Sequence, residues 1–259
     1  MVWPVVISSG TIRSGSTWSF NVCRLLGQLL ADRRGESLTS AYLEGQKLDH
    51  FLQAEAFLGQ GPAVFKAHFI APMALEWIRT GRAKAVCTIR DPRDCVASDL
   101  GFTGQGFDKS VTRVVKCLGY LKSYLDFGRT LFIRYEEMMN DRLAQIRLIA
   151  AHLQIRIDQK EAESIDHQTN LVAARKHCQE LGKLGDDRTH MVVGTHRRHH
   201  VTLLHDNHVD TGKVDRWKED LTAEQGRHLT QLFREILLVQ GYETQASIRP
   251  YLTNRHAAR

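Results

Sequence analysis

Nowhere in the 259 residues does an apolar run approach the roughly 18 positions that a bilayer-spanning helix needs, which excludes an integral helical membrane protein. Cysteine is sparse as well: Cys23, Cys87, Cys95, Cys117 and Cys178 are odd in number, and none forms a CxxC pair. A disulfide scaffold and a zinc ribbon are both excluded, and the thiols read as buried and reduced, as in a cytoplasmic protein. Acidic residues fall short of basic ones, 29 against 35, leaving a net charge of +6. That deficit favours an anionic partner: a phosphate-rich cofactor, a nucleic acid or an acidic membrane surface. Internal repeats and low-complexity segments are absent. Residues 1–9 lack a basic leader and read as a first strand, not a signal peptide.

What the chain does contain is an ordinary globular balance, 42% hydrophobic and 25% charged residues, with length enough to bury a sizeable core. Short apolar, β-branched runs predict strands at 2–8, 63–66, 84–89 and 130–134. Helical spacing predicts helices at 17–33, around 48–58, and at 71–79, 109–127, 135–153, 159–178 and 222–239, with another opening at Pro92. Strands alternating with helices imply an α/β fold, a three-layer sandwich with a central parallel sheet. The chain reads as one domain over 1–259. Periodicity fails from 182 to 215, which reads as a long surface loop, and the polar, basic tail at 245–259 reads as frayed.

Between the first strand and the first helix stands Ser9-Gly10-Thr11-Ile12-Arg13-Ser14-Gly15-Ser16-Thr17-Trp18. Small residues let the backbone wrap so that N–H groups point at an anion, and the helix adds the positive end of its dipole. Ser14, Ser16 and Thr17 supply hydroxyls, and Arg13 a permanent positive charge. An ATP-binding P-loop would place Lys after the second glycine; here Gly15 is followed by Ser16. The run from Arg13 to Trp18 instead resembles the 5′-phosphosulfate loop of sulfotransferases that use 3′-phosphoadenosine 5′-phosphosulfate (PAPS), roughly Lys-Ser-Gly-Thr-Thr-Trp, with Arg13 in place of Lys. The resemblance implies a P-loop-NTPase-like sulfotransferase fold, PAPS as sulfuryl donor, its product PAP, and no metal. It also implies that Trp18 lies near the adenine.

Ile89-Arg90-Asp91-Pro92-Arg93-Asp94-Cys95-Val96-Ala97-Ser98 follows a strand and opens a helix. A strand-end arginine projects at the carboxyl edge of the sheet, where ligands of open α/β folds bind. The segment is similar to the family's 3′-phosphate motif, which implies Arg90 and Ser98 as ligands; Arg93 and Asp94 read as structural charges. Lys66-Ala67-His68 resembles the family's strand-end Lys-x-His, with a matching interval to Arg90. It implies His68 as general base and Lys66 as the cation that meets charge on the bridging oxygen, with Arg13 adding charge at the reacting end.

Tyr135, in Arg134-Tyr135-Glu136-Glu137-Met138, resembles a family adenine contact, although a strand-end tyrosine is equally a packing residue. Gly212-Lys213-Val214-Asp215-Arg216-Trp217 resembles the segment that closes over the 3′-phosphate. The usual Arg-Lys pair is replaced by Asp210 and Thr211, leaving Gly212 with Lys213 or Arg216 as substitutes. The family's dimerisation segment is not reproduced, and the oligomeric state stays open. His190, His196, His199, His200, His205 and His208, with Arg188, Arg197 and Arg198, read as a solvated basic loop facing the acceptor and not as a metal site. The acceptor-side stretches 35–61, 102–107 and 182–210 match no family pattern. A small-molecule or glycan acceptor with a hydroxyl or amine is expected, with no nucleic-acid or membrane partner. A P-loop-like ATP-dependent kinase and a non-catalytic nucleotide or nucleic-acid binder are the alternative readings.

Overall fold

Residues 5–69, 72–125, 129–181, 183, 189–191, 196–207 and 211–252 are described by the computed structural model. The chain opens with β1 (Val5–Gly10), α1 (Ser16–Arg34), β2 (Thr39–Tyr42), α2 (Gln46–Ala54), β3 (Ala63–Lys66), α3 (Pro72–Thr80) and β4 (Ala83–Ile89). It continues through α4 (Pro92–Thr103), α5 (Phe107–Leu125), β5 (Thr130–Arg134), α6 (Tyr135–Asn140), α7 (Arg142–Leu153), α8 (Gln159–Thr169) and α9 (Leu171–Leu181). A short hairpin, β6 (Thr189–Met191) and β7 (Arg197–His199), precedes α10 (Trp217–Asp220), α11 (Ala223–Leu232), α12 (Arg234–Val239) and α13 (Gln245–Leu252).

The first five strands form one parallel sheet in the order β2-β3-β1-β4-β5. Alternation along each strand assigns its side chains to two cores. Val5, Ile7, Phe65, Ala85 and Cys87 meet Leu48 and Leu52 of α2 and Trp77 and Ile78 of α3. Val6, Val64, Val86 and Ile133 meet Phe20 and Leu26 of α1 and Ile146 and Ile149 of α7. A third cluster joins α4 and α5 to the C-terminal helices through Cys95, Val96, Val114, Trp217, Leu229, Leu237 and Ile248. Each fully buried aliphatic side chain contributes about 1.5–3 kcal/mol, so the three layers are held mainly by these faces. Among the described residues, no helix is long and apolar enough to cross a membrane.

The structure departs from the sequence-based expectation at several points. A fifth strand, β2, pairs with β3 from Thr39 beside Ala63 to Tyr42 beside Lys66; its four residues are too few and too mixed to show a period. The helix expected over 135–153 divides at Asp141, whose carboxylate accepts from the N–H of Ala144 and starts α7. The one expected over 159–178 divides at Asn170, which caps Ala173 in the same way. The one expected over 222–239 breaks at Phe233. The expected loop over 182–215 contains the β6–β7 hairpin, and Arg198 bridges on to His205. The tail is not frayed through residue 252: α13 docks with Ile248 fully buried. Residues 253–259 lie outside the described residues, as do Arg188, His208 and Asp210.

Arg93 ties the C-terminal helices to α4. It is buried, donates to Asp91 at 2.7 Å and to Glu243 at 2.7 Å, and lies 4.1 Å from the centre of the Trp217 ring. Arg93→Ala leaves two carboxylates without their cation, and a cost of about 3–5 kcal/mol is expected. A lowered urea-denaturation midpoint measures it, with the exposed pair variant Arg79→Ala expected to leave the midpoint unchanged.

Candidate active site

Strand register brings the chemically distinctive residues to one edge. Ser8 sits beside Lys66, Gly10 beside Thr88, and Ile89 beside Arg134. The segments that follow β1, β3, β4 and β5 therefore emerge together at the carboxyl edge, the position of ligand sites in open α/β sheets. They line a cavity of about 910 Å³, to which Arg13, Gly15, Ser16, Thr17, Trp18, Lys66, His68, Arg90, Ser98, Tyr135, Gly212 and Lys213 all contribute. That volume lies in the range of small-molecule sites.

Two glycines shape the first loop. Gly10, at φ +151°, passes so close to β4 that a Cβ would lie 2.1 Å from Thr88 Oγ1. Gly15, at φ +86°, caps α1 in the left-handed region, and a Cβ there would crowd Met138 and Tyr135. The N-terminal turn of α1 is thereby aimed into the cavity, where its unpaired N–H groups favour an anion. Ser16 and Thr17 line that turn, but Ser14 does not. Its buried hydroxyl donates to the carbonyl of Thr11 at 2.6 Å and lies 2.7 Å from Thr88 Oγ1. The expected hydroxyl ligand is a staple that holds the loop against β4.

Arg90 joins the second and third segments to the first. It donates from Nη1 to the carbonyl of Arg13 at 3.1 Å, and from Nη2 to the carbonyl of Lys213 at 2.7 Å and to Asp94 at 3.1 Å. Its guanidinium lies 4.0 Å from the centre of the Tyr135 ring, and its Nε is buried with no partner among the described residues. Asp94 also accepts from the N–H groups of Asp215 and Trp217, each at 2.9 Å. Gly212 is at φ +75°, and the Lys213 ammonium turns outward to Glu219. Lys213 thus reaches Arg90 through its backbone. Arg13 donates from Nε to Ser98 Oγ at 3.0 Å and lies 4.2 Å from the Phe102 ring centre. Burial lowers its guanidinium to about 10, with Asp99 opposing.

Lys66 donates to Thr17 Oγ1 at 2.6 Å. Burial brings its ammonium down to about 7; Glu44 opposes the shift, and Arg198 and Arg13 reinforce it. The Nδ1 of His68 lies 3.0 Å from the carbonyl of Gly10. A carbonyl only accepts, so Nδ1 carries the proton and Nε2 keeps its lone pair. Burial, then the charge of Lys66, holds this imidazole down to about 3, with the Gly10 contact opposing. The ring is neutral at physiological pH and can act as a proton acceptor.

Several cavity residues escaped the sequence reading. Glu44 follows the unrecognised strand β2 and accepts from the N–H groups of His68 and Phe69, and from the Tyr42 hydroxyl. Arg198, half-buried, stands 4.8 Å from the Tyr42 ring centre and lines the cavity with His196 and His205. Burial, then Arg198, holds His205 down to about 3, so this part of the histidine-rich segment is a packed wall and not a solvated loop. Arg113, Lys116 and Phe102 line the cavity from α5 and α4. A Tyr-x-Glu after a strand was the one local signal, and it needed β2 to be legible.

No curated protein matches the sequence significantly. Among solved structures, retinol dehydratase in complex with retinol and PAP aligns with a TM-score of 0.64 at 15% identity, over 95% of this chain and 83% of that one. The same protein with androsterone and inactive cofactor PAP aligns with a TM-score of 0.64 at 14% identity, over 95% and 82%. Mouse sulfotransferase SULT7A1 complexed with PAP aligns with a TM-score of 0.63 at 16% identity, over 96% and 88%. At these identities the likeness establishes the fold: a central parallel sheet flanked by helices, as in the sulfotransferases. The family model of the sulfotransferase domain matches residues 4–241, nearly the whole described chain, and this protein belongs to that family.

Proposed function

We propose that the protein transfers a sulfuryl group from PAPS to a hydroxyl or amine acceptor, with His68 as general base. One observation carries the reading: two cationic stations, separated in sequence but joined by Arg90, open on the same cavity as a neutral imidazole. The Gly15–Thr17 turn and the α1 N-terminus suit the 5′-phosphosulfate, with Lys66 reaching it past Thr17. Arg90 suits the 3′-phosphate, for which its unpartnered buried Nε is a ready donor, and Ser98, held by Arg13, lines the same cavity. Trp18 and Tyr135 supply ring surface for adenine, and the Gly212–Lys213 backbone closes on Arg90. PAP in the structural neighbours supports a donor of this kind, and their retinol and androsterone support a small-molecule acceptor.

In the reaction the acceptor lone pair attacks sulfur in line with the bond to the 5′-phosphate. A new S–O or S–N bond forms, the old S–O bond breaks, and its electron pair leaves with PAP. The acceptor proton passes to Nε2 of His68, whose tautomer the Gly10 carbonyl fixes. Burial and the charge of Lys66 keep this base weak. A bound anionic donor offsets that charge, so basicity rises once the donor is in place. Lys66 meets negative charge on the bridging oxygen, and Arg13 adds positive charge to the loop. Catalysis rests on positioning and charge stabilisation. The five free, buried cysteines support a cytoplasmic protein, and cations gathered in a cavity instead of on an open face support a small-molecule or glycan acceptor over nucleic acid or membrane.

Three outcomes are expected. His68→Ala lowers the rate of PAP release by about 10²–10⁴-fold while PAP affinity stays near that of the parent protein, and a fully active variant removes the assigned base. PAP binds more tightly than AMP and than ADP with Mg²⁺, and Arg90→Gln abolishes the preference over AMP; tighter binding of ADP with Mg²⁺ would instead favour a kinase. Calorimetry at pH 8 in buffers of differing ionisation enthalpy should show net proton uptake on PAP binding. The free Lys66, at about 7, is mostly neutral at that pH, and the incoming phosphate raises it and draws a proton. Lys66→Met should lose the uptake.

A further inference from the structure

His68 lies beyond the end of its own strand. β3 stops at Lys66, and the N–H of Ala67 makes the last bond to β1, to the carbonyl of Ser8 at 3.1 Å. The next two N–H groups donate instead to one side chain. Glu44 Oε2 accepts from the His68 N–H at 3.1 Å and from the Phe69 N–H at 2.8 Å, and Oε1 stands 3.3 Å from the His68 nitrogen. Glu44 is itself held on both sides. The N–H of Leu43 donates to the carbonyl of Lys66 and that of Gly45 to the carbonyl of Phe69, each at 3.0 Å, and the Tyr42 hydroxyl donates to Oε1. The ring of Tyr42 meets the imidazole edge-on, with centres 6.4 Å apart.

The imidazole is therefore suspended between two neighbours of β3. Its Nδ1 rests 3.0 Å from the carbonyl of Gly10 at the end of β1, while its backbone is clamped by the carboxylate that follows β2. Charge-assisted bonds of this kind are the strong ones, and two of them share a single oxygen here. In water a neutral histidine carries its proton mostly on Nε2, so the opposite tautomer has to be imposed by the structure around the ring. A base that moved away from Gly10 would lose that tautomer and with it the lone pair aimed at the cavity. The same carboxylate also bears on the second group of the transfer. Glu44 supports the charge on Lys66, which Arg198 and Arg13 oppose, and the two histidines that feel Lys66, His68 and His205, are held neutral.

We propose that Glu44 is a positioning residue of the transfer step: by taking the backbone N–H groups of His68 and Phe69, its carboxylate keeps the imidazole against Gly10 and so keeps the lone pair of Nε2 turned to the acceptor. The inference rests on the sulfotransferase reading and deepens it. It assigns the acid of the cavity to the base, not to the acceptor. A strand-end cap with no part in the chemistry would lower stability when removed and leave the tautomer of His68 as it was; a positioning residue changes the tautomer.

The test compares the full chain with its Glu44→Ala, Glu44→Asp and Glu44→Gln variants, labelled in the histidine ring nitrogens and observed without ligand by long-range proton–nitrogen correlation. The His68 signals are those missing from His68→Ala. In the parent protein the two ring nitrogens should be widely separated, with Nδ1 protonated and Nε2 bare. Glu44→Ala should lose that separation as the proton moves toward Nε2. Glu44→Asp, whose carboxylate is withdrawn by one methylene, should change in the same direction, so the test stands even where the alanine variant does not fold. Glu44→Gln keeps a carbonyl oxygen for the two N–H groups and should keep the tautomer while losing the charge. Proton uptake on PAP binding, followed by calorimetry, should then set in at lower pH than in the parent, because a lysine without its neighbouring carboxylate is neutral from a lower pH. An unchanged His68 pattern in the folded alanine or aspartate variant overturns the positioning role, and uptake that sets in at the parent's pH in Glu44→Gln overturns the link to Lys66. The spectra need no ligand, so their failure defeats the role of Glu44 alone, whereas a parent protein that does not bind PAP defeats the donor reading.

Discussion

The buried pair of Arg90 and Asp94 is the interaction on which the site depends. Both side chains are almost wholly withdrawn from water, at 4% and 0% exposure, where either charge alone would cost several kcal/mol. Apart from the Nε of Arg90, the hydrogen bonds they make beyond the pair go to backbone. Arg90 holds the carbonyl of Arg13, 77 residues earlier, and that of Lys213, 123 residues later. Asp94 holds the N–H groups of Asp215 and Trp217. Three distant segments are therefore fixed relative to one another before any ligand arrives, which is the preorganisation that electrostatic catalysis requires.

The same arrangement brings like charges together around the cavity. Among the described residues, ten lysine and arginine side chains line the cavity with one carboxylate, Glu44, and the consequences appear at the buried groups where protonation can give way. Lys66 is brought near neutrality, and His68 and His205 are held neutral. Glu44 acts as the counterweight: it supports the charge on Lys66 while its oxygens clamp the backbone that carries His68. In the proposed reaction a polyanionic donor relieves the repulsion, so that donor binding and the basicity of His68 are linked through a single field.

The parts of this architecture that were legible in the sequence are those whose meaning is local. Strand, small-residue loop and helix opening run consecutively from β1 to α1, and a strand-end arginine followed eight residues later by serine is a spacing along one chain segment. What stayed hidden depends on partners far away. Ser14 looked like a ligand because hydroxyls in such loops often are; its role is decided by Thr88, 74 residues on. β2 exists because β3 offers a ladder, and with it came Tyr42 and Glu44. Arg198 reaches the cavity because β6 and β7 pair, in a stretch whose composition signalled only polarity. Helix breaks at Asp141 and Asn170 carried capping residues that were visible in the sequence, but hydrophobic spacing ran through them and masked the punctuation.

Arg13, where the family resemblance leads one to expect lysine, fits this chain for a geometric reason. It occupies the left-handed region at φ 62°, a conformation that costs a non-glycine residue energy and needs tertiary contacts to hold it. The planar guanidinium supplies two at once: its face lies against Phe102 and its Nε donates to Ser98. An ammonium is a point charge with no planar face, so it could not stack in this way while making the same directed bond. The bond to Ser98 does not remove the serine from the donor site. Arg13 donates to the hydroxyl's lone pair, which leaves the O–H free to donate to a phosphate oxygen and fixes the direction in which it can do so. The arginine thereby links the loop proposed to hold the 5′ end of the donor to the serine proposed for its 3′-phosphate, so that the two stations are set at one spacing by a single side chain.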